Sequence, residues 1–336
     1  MKSVVQTILV VLALASVGVM VALQRQPIAA PAPPAPLAFG ESTIRAKAGT
    51  SDIVITTTAR TAGAIHSLTW DGVEFVDSFD HGRQIQSASN FDSGQPFVPE
   101  VFNPTEAGSM ADGAGATSTS RLLELSAKEN QLVTLNRMAF WLKSGEKSQG
   151  HPARNAGPLS DHYLAKRVTI GHKELAHAIE YRVTFLVPGS EKHTYAQFEA
   201  VTGYMPSAFG TFFRFDAKEG KLLPLTDGPG EQSDPVVLST ADGRHAMGVY
   251  SPDQPSKGYE TAGYGRFRFK AEKVVKWNCV FRTKNALPAS SRDRPASETR
   301  DAGFKGEYQF RCFLVVGTSK DCEATLAALH KEFANP

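Results

Sequence analysis

From Ser42 onward, apolar and polar residues alternate with a period of two, interrupted by turn residues at short intervals. Such alternation puts one set of side chains on a buried face and the other toward water, so it predicts strands. The clearest early runs are "DIVITTTA" (Asp52–Ala59), "GAIHSLTWDGVEFVDS" (Gly63–Ser78), "HYLAKRVTIG" (His162–Gly171) and "HAIEYRVTFLVPG" (His177–Gly189). "HTYAQFEAVTGYMP" (His193–Pro206), "TFFRFDA" (Thr211–Ala217), "PVVLSTADGRHAMGVYSP" (Pro235–Pro252) and "GRFRFKAEKVVKWNCVFRT" (Gly265–Thr283) continue the pattern. Asp71-Gly72 and Asp242-Gly243 supply residues that tolerate positive φ, as tight hairpins require. The helical period is clear only at the end, where Ser319 can cap "KDCEATLAALHKEF" and Leu326, Leu329 and Phe333 share one stripe. A short helix is also possible near Thr119–Leu125. Gly94–Ser120 and Asn285–Gly303 read as long loops. The expected fold class is all-β: a large antiparallel β-sandwich with a short C-terminal helix.

The chain before Ser42 is of another kind. Met1-Lys2 precedes an apolar run from Val4 to Leu23, followed by Arg25 and a Pro/Ala tract. A lysine and an apolar core are the marks of export, and a run of this length also suffices as an uncleaved anchor. The expected organisation is a signal peptide or membrane anchor over 1–25, a semi-rigid linker over 26–41, and one β domain over 42–336. The domain then lies at the periplasmic or extracellular face, touching a membrane only through the N-terminal segment.

Composition removes several function classes. Of 336 residues, 41% are hydrophobic and 21% charged, which is globular. A net charge of +2, with no basic-aromatic stretch, gives no footprint for nucleic acid. There is no P-loop, no GxGxxG after a strand and no HExxH, so neither a cofactor nor a metal is expected. Three cysteines lie late in the chain. Cys279 and Cys312 sit in strand-like runs and are the preferred disulfide pair, Cys322 being left over; three buried free thiols are the alternative.

One stretch departs from core patterning. "FDHGRQIQSASNF" (Phe79–Phe91) carries Asp80, His81, Arg83, Gln84 and Gln86 where a plain strand would show apolar residues on one face. Together with Gly63–Leu68, the Asp71-Gly72 hairpin and Gly82-Arg83, it resembles the galactose-mutarotase-like superfamily. That is the β-supersandwich shared by aldose epimerases and by domains of many glycosidases and polysaccharide lyases. The resemblance implies a carbohydrate ligand. The histidine-bearing segment of the sugar epimerases has no counterpart here; "SDHYLAKR" (Ser160–Arg167) is the nearest approach.

The candidate chemistry follows from residue types. The planar guanidinium of Arg83, with Gln84, Gln86, Asp80 and His81, suits vicinal hydroxyls or a uronate carboxylate; a structural pair with Asp80 is the plainer alternative. Glu106, in "FNPTEAGSMADG", is a candidate general acid or base, or a loop cap. A lyase needs a cation and a His or Tyr base, for which Arg83, His162 and Tyr163 qualify. A hydrolase needs two carboxylates, for which Glu106 with Glu180 or Glu199 qualifies. Glu231 and Gln232, with His245, can share a rim. Trp141 and Tyr204 can stack on sugar faces. Arg83, Gln86 and Glu106 are expected to face one pocket. The function expected is that of an exported carbohydrate-active protein with lyase or hydrolase chemistry. The alternatives are a non-catalytic carbohydrate-binding module and a structural envelope protein without a ligand.

Overall fold

The computed structural model describes residues 39–253, 263–284 and 304–334. The apolar leader, most of the Pro/Ala linker and the loop expected over 285–303 lie outside the described residues. Among the described residues, no helix is long and apolar enough to cross a membrane.

The strands follow the alternation. A first group comprises β1 (Ser42–Ala48), β2 (Ser51–Thr57), β3 (Ile65–Trp70), β4 (Val73–Glu74), β5 (Gln86–Phe91), β6 (Pro104–Thr105), β7 (Arg121–Lys128) and β8 (Gln131–Phe140). After the short pair β9 (Lys147–Ser148) and β10 (His151–Pro152) come β11 (Leu159–His172), β12 (Leu175–Pro188), β13 (Tyr195–Pro206) and β14 (Thr211–Asp216). The last are β15 (Lys221–Pro224), β16 (Gly230–Gln232), β17 (Val236–Ser239), β18 (Ala246–Tyr250), β19 (Tyr264–Phe269), β20 (Val274–Lys284) and β21 (Phe304–Gly317). Helix α1 (Ser319–Ala334) closes the described chain.

β1 to β4 form a four-stranded antiparallel sheet in sequence order, turned at Asp71-Gly72, where both residues have positive φ. The main ladder runs β15-β14-β17-β18-β21-β12-β11-β8-β6-β5-β13-β20-β19-β16, with β7 alongside β8. This ladder folds back over its own core. Phe281 of β20 stacks on Phe310 of β21 at 4.2 Å, and Phe198 of β13 lies 5.0 Å from Phe185 of β12. Strands separated along the ladder thus face each other across one apolar interior, the sandwich that the alternation predicts. Each fully buried phenylalanine contributes about 1.5–3 kcal/mol to that interior.

β21 shows how period two builds two cores. Cys312, Leu314 and Val316 face the main core, while Phe313 and Val315 face α1 and its Cys322, Leu326 and Leu329. The helix stripe therefore packs on the outer face of the ladder. Its cap is Thr318 rather than Ser319. Thr318 exchanges hydrogen bonds with Asp321, its hydroxyl accepting from the Asp321 amide at 3.1 Å, while Ser319 Oγ lies 2.9 Å from Ser239 Oγ.

Three further expectations change. Of the Thr119–Leu125 stretch, Arg121 onward belongs to strand β7, because pairing with β8 outweighs local propensity. Within Phe79–Phe91 the strand begins only at Gln86; Asp80–Gln84 is turn and bend, closed by the Arg83 amide donating to the Asp80 carbonyl at 3.3 Å, and Ile85 forms an isolated bridge with Ile65. Cys279, Cys312 and Cys322 are all free and buried. Cys279 and Cys312 are not sheet neighbours but meet across the core, Sγ to Sγ at 3.8 Å.

Candidate functional site

A cleft of about 500 Å³ opens over β5, β13, β20 and β19. Its floor is built by register. Gln86, Thr202 and Asn278 form one cross-strand row, Ala88, Glu199 and Val280 a second, Asn90, Gln197 and Arg282 a third, and Tyr204, Lys276 and Phe267 a fourth. Trp141, Asn103 and Glu231 complete the walls.

A β-bulge makes this floor possible. Between Glu199 and Thr202 the register of β13 slips by one residue against both neighbours. Gln197 and Glu199 point to the cleft before the slip, and Thr202 and Tyr204 after it. A regular strand would have sent one of these pairs into the core. The bulge is held from below: the Ala200 carbonyl accepts from Ser87 Oγ at 2.7 Å, and Ser87 Oγ also lies 2.8 Å from the Tyr181 hydroxyl. Burial, with the charge of Glu106 adding to it, pushes the Tyr181 phenol up, so it stays protonated.

Charge in the cleft is paired but reachable. Glu199 accepts from Lys276 Nζ at 2.8 Å and Asn278 Nδ2 at 2.6 Å, with its side chain 21% exposed. Burial pushes the Glu199 carboxyl up, but the Lys276 charge and these hydrogen bonds outweigh it and hold the group below its ordinary value. The Lys276 ammonium is raised: burial lowers it, and Glu199 more than compensates. Lys276 Nζ also sits 5.2 Å and 5.6 Å from the Tyr204 and Phe267 ring centres. Arg282 pairs with Glu231 at 2.8 Å, leaving one guanidinium nitrogen without a partner. Asn278 reaches over Gly265, whose amide it accepts at 2.8 Å; a Cβ there would lie 2.2 Å from the Asn278 oxygen.

The residues expected from the sequence fall in several places. Gln86 and Glu231 line the cleft. Arg83 does not: it is held by Asp80 at 3.1 Å and Asp77 at 3.6 Å and covers the Phe79 ring. Asp80 also accepts the Gly82 amide, and Gly82 leaves room for Trp141, whose ring a Cβ would approach to 2.9 Å. His81 is buried between the carbonyls of Gly113 and Arg60, both at 2.7 Å. Gln84 donates to Ser78 and to the Asp80 carbonyl, and Gln232 accepts from Arg266 at 2.8 Å. These side chains secure turns.

Glu106 lies in the core. It is fully buried, ion-paired to the equally buried Lys166, and accepts the Ser87 amide at 2.9 Å. It therefore does not share a pocket with Arg83, and its link to the cleft runs through Ser87 and the bulge. Its partner is sixty residues away in sequence. His162 is buried against Glu191, and Tyr163, next along β11, is half-buried in register with Leu186 and Arg137. Glu180 is on the outer face, bound by Arg182 at 2.9 Å and Arg311 at 2.6 Å; burial raises its carboxyl, and those two guanidiniums bring it below its ordinary value. That face carries a shallower hollow of about 580 Å³, where Arg167, Arg182 and Arg311 stand in one cross-strand row. The lyase and hydrolase sets composed from the sequence are thus dispersed.

Lys276, Asn278, Arg282, Gln197, Asn90 and Phe267 were not among the expected site residues. A signal for three of them exists: in "KVVKWNCVFRT" Lys276, Asn278 and Arg282 alternate with Trp277, Cys279 and Phe281, a polar face opposite a core face.

No family model matches the chain, and no curated protein matches its sequence. Solved structures do. A putative aldose 1-epimerase from Escherichia coli K12 aligns at 10% identity and a TM-score of 0.44, over 83% of this chain and 100% of that one. An α-galactosidase from Lactobacillus brevis aligns at 10% identity and 0.43, over 87% of this chain and 42% of that one. A heparan sulfate lyase from Pedobacter heparinus aligns at 10% identity and 0.35, over 83% and 35%. The likeness is one of strand arrangement alone, and the chemistry of the cleft rests on this chain's own side chains.

Proposed function

We propose that this protein recognises a carbohydrate in the cleft over β5, β13, β20 and β19. The observation that carries the reading is the floor itself. Amides of Asn90, Gln197 and Asn278, carboxylates of Glu199 and Glu231, and cations of Lys276 and Arg282 are presented on rigid strands beside Trp141, Tyr204 and Phe267. Sugars offer vicinal hydroxyls that both donate and accept, and apolar ring faces that stack on aromatics. Carboxylates and amides fixed by cross-strand neighbours supply both without reorganisation.

Binding fits the geometry better than hydrolysis. Hydrolysis needs a carboxylic acid that keeps its proton near neutrality. Glu199 is instead held ionised, and Glu231 is ion-paired to Arg282. An ionised Glu199 is suited to accept sugar hydroxyls. Export belongs to the same proposal, supported by Met1-Lys2 and the apolar run from Val4 to Leu23.

A glycan array followed by calorimetry on the purified protein tests the reading. Saturable binding of a neutral or acidic glycan, weakened at least tenfold by Glu199→Gln in a variant that circular dichroism shows to be folded, is the expected result. A folded protein that binds no glycan would overturn it; release of reducing or unsaturated ends would replace recognition with catalysis.

A further inference from the structure

Away from the cleft, three potential metal ligands converge beneath the turn that joins β12 to β13. His162 Nε2, on β11, lies 2.7 Å from Glu191 Oε2, and His193 Nε2 lies 2.8 Å from the same oxygen. All three atoms fall within 4.8 Å of one another. Both imidazoles are buried, with side chains 2% and 3% exposed, while Glu191 is 22% exposed. Phe91 and Phe102 pack around the rings, 5.0 Å and 6.0 Å from His162 and 4.4 Å and 5.4 Å from His193.

The hydrogen bonding here is unbalanced. If both imidazoles are neutral and donate from Nε2 to one carboxylate oxygen, each Nδ1 is left as an acceptor. His193 Nδ1 is buried without a hydrogen-bond partner, and the nearest charged atom, Asp92 Oδ1 at 3.7 Å, is also an acceptor. Asp92 cannot swing away, because its carboxylate accepts the Thr194 amide at 3.0 Å and 3.1 Å, and also the Thr194 hydroxyl.

We propose that His162, Glu191 and His193 bind a divalent transition-metal ion of the zinc class. Two imidazole nitrogens and one carboxylate oxygen form a ligand set that zinc takes with a fourth position open to water. With Nε2 bound to the ion, His193 Nδ1 becomes a donor facing Asp92, the carboxylate–histidine–metal arrangement that fixes ring tautomer and orientation. The buried acceptor then gains its partner, and the two carboxylates balance the charge of the ion. Ligand atoms about 2.0–2.1 Å from zinc stand further apart than the present hydrogen-bond distances, and Glu191, on a turn, is the ligand free to move outward. No ligand motif shows in the sequence because His162 lies far from the Glu191–His193 pair.

The test uses untagged protein stripped with EDTA and titrated with Zn²⁺ by calorimetry and with Co²⁺ by visible absorption. About one ion per chain, a four-coordinate cobalt spectrum and a higher melting temperature with zinc are expected. His193→Gln should abolish the cobalt spectrum, and Asp92→Asn should weaken zinc binding by about 10–100-fold. Circular dichroism of the metal-free variants separates loss of ligand from loss of fold. Absence of zinc binding in the folded stripped protein would overturn the proposal, as would unchanged stoichiometry and spectrum in His193→Gln. Should that variant fail to fold, Glu191→Gln, on the exposed side of the cluster, must lose the spectrum instead.

Discussion

Two lysine–glutamate pairs share their chemical groups and differ in burial. Glu106 and Lys166 are sealed in the core, both side chains at 0% exposure; Glu199 and Lys276 lie on the cleft floor, 21% and 15% exposed. The chemical groups are the same, but the surroundings assign them different work. The sealed pair satisfies the Ser87 amide, and Ser87 in turn grips the Ala200 carbonyl at the bulge. The open pair sits directly on that bulge and keeps one side toward solvent. The first positions the second. A charge pair is therefore informative about function only once its exposure is known, because a buried pair offers a ligand nothing to reach.

The strongest way to break this comparison is Lys166→Met. It leaves Glu106 charged and alone in the core, which should cost about 3–5 kcal/mol. Chemical denaturation measures the loss, and the double variant Lys166→Met/Glu106→Gln should recover much of it. If the single variant is as stable as the parent, the sealed pair is no support for the bulge.

Next in size is Glu199→Gln. A hydrogen bond to a charged group is worth about 1.5–3 kcal/mol, so glycan affinity should fall at least about tenfold. Stability should fall by less than in Lys166→Met, since both side chains of this pair keep some contact with solvent. Equal losses in binding and stability would merge the two pairs into one structural class.

Acidity sharpens the contrast further. A carboxyl depressed on folding contributes stability that is present above its unfolded value and is lost as pH falls through its folded value. For Glu199 the ordinary value is 4.5, and the folded one is lower. Glycan binding measured by calorimetry should thus be level from neutrality down to about pH 4.5 and fall only below it. A decline beginning near pH 6 would show that Glu199 is not held ionised by Lys276.

The smallest effect is expected from Arg83→Lys. Arg83 braces Asp77 and Asp80 outside the cleft lining, so affinity should stay within about threefold and the melting temperature fall slightly. A tenfold loss of affinity with an unchanged melting temperature would return Arg83 to the site.

The fold was readable because period two is a local signal. β11 and β12 alternate so regularly that strand, buried face and long hairpin follow from neighbouring residues. The site was less readable because it depends on distant partners. Glu106 looks reactive in "NPTEAG" until Lys166 is placed against it, and Arg83 looks free until Asp77 returns beside it. Gln86 and Glu231 line the cleft, whereas the turn residues around Arg83 brace it. The cation and amide face of β20 was visible as alternation, but nothing local marks it as concave. The bulge leaves the faintest trace, a run of "EAVTGY" in which the polar phase changes between Glu199 and Thr202.

That phase change gives β13 two reading frames. Up to Glu199 the odd-numbered residues belong to the cleft side, and from Thr202 the even-numbered ones do. Deleting Ala200 would remove the one extra residue: Glu199, Val201 and Thr202 would then run in plain alternation against β5 and β20, with Thr202 and Tyr204 still on the cleft face and the carbonyl that Ser87 grips lost. A deletion elsewhere in β13 would instead turn one half of the floor residues into the core, so the strand tolerates the loss of a residue at the bulge and nowhere else along the floor.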